Sequence, residues 1–151
     1  MTNRRFSSAS VAAFAAAALS IASAQAADME TLTLVERATT DAVVDTGAAG
    51  DSSGDLLTFA NEIFDKDNAA KVGSDSGWCI RVVAGKSWEC FWTLMLADGQ
   101  ITAEGPFLDA GDSTLAVTGG TGKYAAVRGE MALHARNDKG SEYDFVYKLT
   151  Y

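Results

Sequence analysis

The closing stretch EYDFVYKLTY (Glu142 to Tyr151) alternates Tyr143, Phe145, Tyr147, Leu149 and Tyr151 with Glu142, Asp144, Val146, Lys148 and Thr150. A period of two puts successive side chains on opposite faces of a strand, so this segment has one aromatic face and one largely polar face. Working outward, β-branched and aromatic runs between Gly-rich breaks predict further strands at Met29 to Val35, Leu56 to Phe64, Trp78 to Val83, Lys86 to Leu96, Gln100 to Phe107, Thr114 to Thr118 and Val127 to Arg136. Asp98-Gly99 and Asp138-Lys139-Gly140 supply the turns that a meander needs. With no helical stripe, the pattern predicts an all-β chain: an eight-stranded antiparallel closed β-barrel of lipocalin-like shape. Two segments stand apart. Arg37 to Gly54 is small, acidic and Gly-rich, and reads as a long mobile loop by one barrel mouth or as a linker. Asp65 to Gly77 reads as an elaborated connection, with one helical turn over Lys66 to Lys71.

The chain has 151 residues, with 20 acidic against 12 basic, one His and two Cys. Arg4 and Arg5 precede an apolar run from Val11 to Ala24, and Ala24-Gln25-Ala26 offers small residues for cleavage. Residues 1–26 therefore read as a signal peptide and 27–151 as one domain that is secreted or periplasmic, with no membrane partner after cleavage. That run is 14 residues long, short of the roughly 20 that span a bilayer. Removing it takes away Arg4 and Arg5 and no acid, leaving 10 basic against 20 acidic residues. So acidic a chain lacks the basic stripe that nucleic-acid binding needs, and no nucleic-acid partner is expected. The few soft ligands argue against a structural zinc site, and no metal is assigned.

Export makes Cys79 and Cys90 a natural pair. With Ala84-Gly85 as a two-residue turn, the hairpin register sets Cys79 opposite Cys90, Arg81 opposite Trp88 and Val83 opposite Lys86. Both sulfurs then share a face and predict a disulfide, worth about 2 to 3 kcal/mol in the chain-entropy account. A free reactive thiol at Cys79 is the alternative. In the same register Trp88 and Trp92 share the cysteine face, while Phe91, Thr93 and Met95 point the other way. Two apolar faces suit a barrel wall covered outside by a second copy of the chain.

Short catalytic motifs are absent. Gly119-Gly120-Thr121-Gly122-Lys123 lacks the Gly and the Ser or Thr of a Walker loop, because Val117 and Tyr124 stand there, and reads as a turn with Tyr124 tucked inward. His134 reads as a strand residue. Asp65/Asp67 and Asp109/Asp112 do not continue into a calcium loop.

A longer pattern is more telling. GDLLTFANEIFD (Gly54 to Asp65), VGSDSGWC (Val72 to Cys79), DGQITAEGPF (Asp98 to Phe107), LAVTGGTGKYAAVRGE (Leu115 to Glu130) and the closing strand together resemble the allene oxide cyclase and dirigent barrel superfamily. The resemblance implies a cofactor-free barrel, commonly trimeric, whose lumen holds a hydrophobic small molecule and fixes the shape in which it cyclises or couples. An aromatic-lined cavity would exclude water and restrict a flexible ligand to one near-attack shape.

Carried over residue by residue, the resemblance matches the cyclases' Phe and Asn with Phe59 and Asn61, and their Cys with Cys79. It adds Arg128 from the dirigents. Aligned on Glu36-Arg37, Thr33 and Val35 stand where those cyclases carry a Glu and an Asn, and Asp41-Ala42 replaces a Ser-Pro, so allene oxide itself is a poor substrate match. The acid candidates are Glu104, Glu36 and Asp41. The expected site therefore has Asn61, Arg128 and Glu104 as catalytic residues, and Phe59, Cys79, Trp88 and Trp92 as ligand-binding residues. A secreted isomerase or cyclase leads. A lipocalin-like carrier and a structural protein with a filled barrel remain the alternatives.

Overall fold

The structure is a computed structural model, and it describes residues 28–151. The predicted signal peptide, residues 1–26, lies outside the described residues, as does Ala27 at the start of the predicted domain. Ten strands follow: β1 (Met29–Arg37), β2 (Ala42–Val44), β3 (Leu56–Phe59), β4 (Glu62–Asp65), β5 (Lys71–Val83), β6 (Ser87–Leu96), β7 (Gly99–Leu108), β8 (Ser113–Gly120), β9 (Arg128–Ala135) and β10 (Glu142–Thr150). Strands β3 and β4 are two halves of one barrel position, because both pair with β5 and β4 also pairs with β1. The order then runs β4-β1-β10-β9-β8-β7-β6-β5 and closes through the β5–β6 and β4–β5 ladders, which makes an eight-position antiparallel barrel. Strand β2 flanks β3 outside the ring.

The closing strand behaves as its alternation requires. Phe145, Tyr147 and Leu149 are fully buried, Tyr143 is partly so, and their neighbours face out. Residues of the same parity on every strand join them in one core, including Phe59, Ile63, Trp92, Leu94, Ile101, Leu115, Met131 and Leu133. Where an oily void was expected in mid-barrel, described side chains pack together. Phe59 and Trp92 meet at 4.3 Å between ring centroids, and Phe145 stands edge-on to both Trp92 and Tyr147. Eight strands enclose a bore that such side chains fill by themselves. At one end a short 3-10 turn at Gly122–Tyr124 buries Tyr124, as expected for the Gly-rich run, with Gly122 in the left-handed region at φ +59. The other end, where β5 meets β6 and β7 meets β8, is the mouth.

Three local expectations change. The β5–β6 turn spans one more residue: Cys79 faces Cys90 and Arg81 faces Trp88 as predicted, but Val83 pairs with Ser87 after a bulge, and Lys86 N–H donates to Val83 O at 3.0 Å. Gly85 takes φ +66 in that turn. The disulfide is present, with the two Cα atoms 4.0 Å apart. Next, Lys71 to Gly77 is the first half of β5 and not a connection. It looks too polar for a strand, yet its glycines are places where two aromatic rings or a neighbouring backbone must approach. A Cβ on Gly77 would strike Phe91 O and the Phe59 ring, because Phe59 and Trp92 lie on either side of Gly77 in the sheet and their rings meet above it. Gly77→Ala is accordingly expected to lower stability by about 1 to 3 kcal/mol, measured by denaturant unfolding. Finally, the Lys66 to Lys71 helical turn is a tight reversal instead, with Asn68 at φ +55 and Ala69 N–H donating to Asp65 Oδ1 at 2.8 Å.

Candidate active site

Asn61 and Asp75 sit opposite each other where β3 passes into β4. Their backbones are bonded in both directions at 3.0 and 3.1 Å, so both side chains enter the barrel together. Glu36 on β1 joins them, since its cross-strand partner is Ile63, two residues beyond Asn61. All three are nearly sealed: Glu36 and Asn61 are 2% exposed and Asp75 1%.

Hydrogen bonds organise the cluster. Asn61 Nδ2 donates to Glu36 Oε1 at 2.9 Å and to Asp41 Oδ1 at 2.8 Å. Its Oδ1 accepts from Thr39 N, Thr40 N and Thr40 Oγ1, which folds the segment after β1 over the mouth. Asp75 Oδ2 accepts from Trp92 Nε1 at 2.7 Å, and its Oδ1 accepts from Asn61 N at 3.1 Å. The Asp75 and Glu36 carboxyls stand close enough to act on each other's charge.

Two carboxyls this close in an apolar bore cannot both stay ionised. Burial, then the Asp75 charge, pushes Glu36 well above the usual carboxyl range. Burial also raises Asp75, but hydrogen bonds from Glu36, Trp92 and the Asn61 backbone favour its charged form. Of the two, Glu36 is the carboxyl that its surroundings push further toward the protonated form. Burial raises the Tyr147 hydroxyl strongly, with Asp75 and Glu36 adding to the effect, so it too stays protonated beside them.

Above the cluster lies a ring layer. Phe107 stands edge-on to both Trp92 and Tyr143, and the Tyr143 hydroxyl is raised by burial and by Asp41 and Glu36. Phe107 and Tyr143 also form the floor of a cavity of about 410 Å³ between the β7–β8 and β9–β10 loops. A second cavity of about 430 Å³ lies across the mouth, against Val43, Arg81 and Trp88. Among the described residues, no three His, Cys, Asp or Glu side chains are placed to hold a metal ion.

The family model described as allene oxide cyclase matches residues 24–138. The chain belongs to that family. A solved pyocyanin demethylase is 31% identical to this allene oxide cyclase family member, with a TM-score of 0.67, over 80% of this chain and 100% of its own. A pterocarpan synthase dirigent protein (13% identity, TM-score 0.65, 82% of this chain and 94% of that one) shares the barrel. So does an exo-specific intermolecular Diels-Alderase (13%, 0.63, 82% and 99%).

Several residues expected at this family member's site are placed elsewhere. Asn61 is central, and Glu36 and Asp41 join it. Arg128 lies on the outer wall, with Nη1 donating to Val127 O, and Glu104 is exposed and bonded to Thr118 Oγ1. Neither reaches the acid cluster. Cys79 is buried and bridged, and Phe59 and Trp92 are packed below the mouth, whereas Trp88 lines one of the two mouth cavities. Asp75 was not anticipated. The signal for it was parity: extended upstream, the inward series of Arg81, Cys79 and Gly77 reaches Asp75 next.

Proposed function

We propose that this family member is an exported enzyme that binds a flat, hydrophobic small molecule at the Phe107–Tyr143 mouth and moves a proton to or from it through the Glu36–Asp75 pair, steering a ring-forming or tautomerising step. The observation that carries this reading is the pair of buried carboxyls, Glu36 and Asp75, held by Asn61 and Trp92 in a largely apolar barrel. A carboxyl raised by its surroundings is suited to general acid chemistry near neutral pH. The ring layer between cavity and acids excludes water, and a ligand reaches the acids by parting it. No step calls for a cofactor.

A second reading follows from the pyocyanin demethylase, whose whole length matches at 31% identity. Here the substrate is a planar heterocycle, and the same acid pair carries the protons while the methyl C–H electrons pass into the ring, water adds to the methyl carbon, and formaldehyde leaves the reduced ring. Mass-spectrometric product analysis with pyocyanin and with conjugated ring-forming substrates tests both readings. Turnover that needs Glu36 and survives Arg128→Ala supports an enzyme with this site. A ligand that co-purifies unchanged, with no turnover, supports the carrier instead. Activity lost in Arg128→Ala and kept without Glu36 would overturn the assignment.

The apolar outer wall supports the proposed trimer. Trp78 is 44% exposed and stacks on Phe91, with Ile80 and Val82 beside it on β5. Mass photometry at micromolar concentration should give three copies, and Trp78→Glu should shift them to monomer. A wild-type monomer contradicts this.

A further inference from the structure

One ion pair links the linings of the two mouth cavities. Arg81, on the inner face of β5, lines the cavity against Val43 and Trp88, and Asp109 lines the other. Arg81 Nη1 donates to both Asp109 oxygens, at 2.6 and 2.8 Å. The guanidinium carbon lies 3.9 Å from the centre of the Trp88 ring. Its side chain is more than nine-tenths buried. On the far side Nε stands 2.6 Å from Asp51 Oδ1, yet its N–H is not aimed at that oxygen and has no hydrogen-bond partner. Asp51 is held in place by its other oxygen, since Oδ2 accepts from Gly85 N at 2.6 Å.

A buried guanidinium laid on an indole beside an open cavity, with its Nε–H poorly aimed at a half-exposed carboxylate, is a fork set for a planar oxyanion. The other acids around this cavity are occupied from within. Asp55 accepts from Thr46 N, Gly47 N, Ser52 N and Ser52 Oγ, and Asp45 accepts from Gly50 N. We infer that Arg81 is the anchor for an aromatic carboxylate, whose carboxylate takes the Nε–H side of the fork in place of Asp51 while its ring lies in the Val43–Trp88 cavity. Asp51 and Asp109 are the internal stand-ins that hold Arg81 until such a ligand arrives. The inference rests on the proposed function only in making this ligand a substrate; the binding stands without it.

Isothermal titration of the full chain with 1-naphthoate and with its neutral isostere 1-naphthalenemethanol tests the anchor. Naphthoate should bind at least tenfold tighter than the alcohol. Asp51→Asn, at a half-exposed side chain, removes the competing charge and should tighten naphthoate about tenfold without helping the alcohol. Arg81→Met should abolish the preference, and Arg81→Lys, which keeps the charge but not the fork, should restore only part of it. Equal affinity for the two probes, no naphthoate binding by wild type and Asp51→Asn, or an unchanged Asp51→Asn overturns the inference even if Arg81→Met fails to fold. Naphthoate binding retained in Glu36→Gln with turnover lost locates a failure in chemistry and not in the anchor.

Discussion

Glu36→Gln is expected to lower turnover by about a hundredfold or more while leaving the fold at least as stable as wild type at neutral pH. Gln keeps the geometry: its Oε1 accepts from Asn61 Nδ2 as Glu36 does, and its amide can donate toward Asp75. What it removes is a proton that can leave. The sign of the pH effect follows from linkage. The folded protein holds the Glu36 proton above the carboxyl's unfolded value, so the stability it contributes is fully present below pH ~4.3. That contribution is lost as pH rises toward the raised folded value. Asp75, also raised, acts in the same direction. Wild type should therefore lose unfolding free energy as pH rises above ~4.3, and Glu36→Gln should show a flatter profile. Urea unfolding across pH reads this directly. Equal slopes, or a variant less stable at neutral pH, would mean that no proton is trapped. Stability gained where activity is lost is the mark of a group kept for function.

Asn61 should carry the largest structural effect of any single polar residue in the barrel. Its amide satisfies Glu36 and Asp41 on one side and two backbone N–H groups and a hydroxyl of Thr39 and Thr40 on the other. Asn61→Ala leaves buried partners unmet and releases the segment after β1. The expected loss is about 3 kcal/mol, or on the order of 10 °C in Tm. Asn61→Asp is the sharper variant. It can still accept from the Thr39 and Thr40 amides, but it sets a new carboxyl among Glu36, Asp41 and Asp75 and can no longer donate to Glu36. Its deficit should grow with pH and shrink in acid, because the added carboxyl must either ionise against its neighbours or take up a proton. An Asn61→Asp protein as stable as wild type at neutral pH contradicts the network described here.

The barrel was legible because each strand needs only an inward parity, and the closing strand shows it without interruption from Tyr143 to Leu149. The disulfide followed from hairpin register, and the extra turn residue at Lys86 lay beyond the cysteines, so it did not disturb their pairing. Asn61 was found through the family pattern. Asp75 escaped because Gly-Ser-Asp-Ser-Gly carries no apolar period. There the backbone ladder to β6 and the need to seat two rings above Gly77 decide the conformation, and both are tertiary facts. Arg128 and Glu104 show the opposite failure. A motif match names a residue but not the face it points to. Met131 and Leu133 point inward on β9, as do Ile101 and Ala103 on β7, so the even-numbered Arg128 and Glu104 fall outside. The site moved from mid-barrel to the mouth because side-chain volume, which alternation does not reveal, had already filled the bore.

The acid pair is most directly tested by carbon-13 NMR of the side-chain carboxyls, followed through a pH titration with Glu36→Gln and Asp75→Asn for assignment. One carboxyl, Glu36, should remain protonated at neutral pH and titrate well above ordinary glutamates, with Asp75 responding to the same step. If Glu36 and Asp75 both ionise in the ordinary carboxylate range, the acid pair is no proton carrier and the proposed chemistry loses its centre.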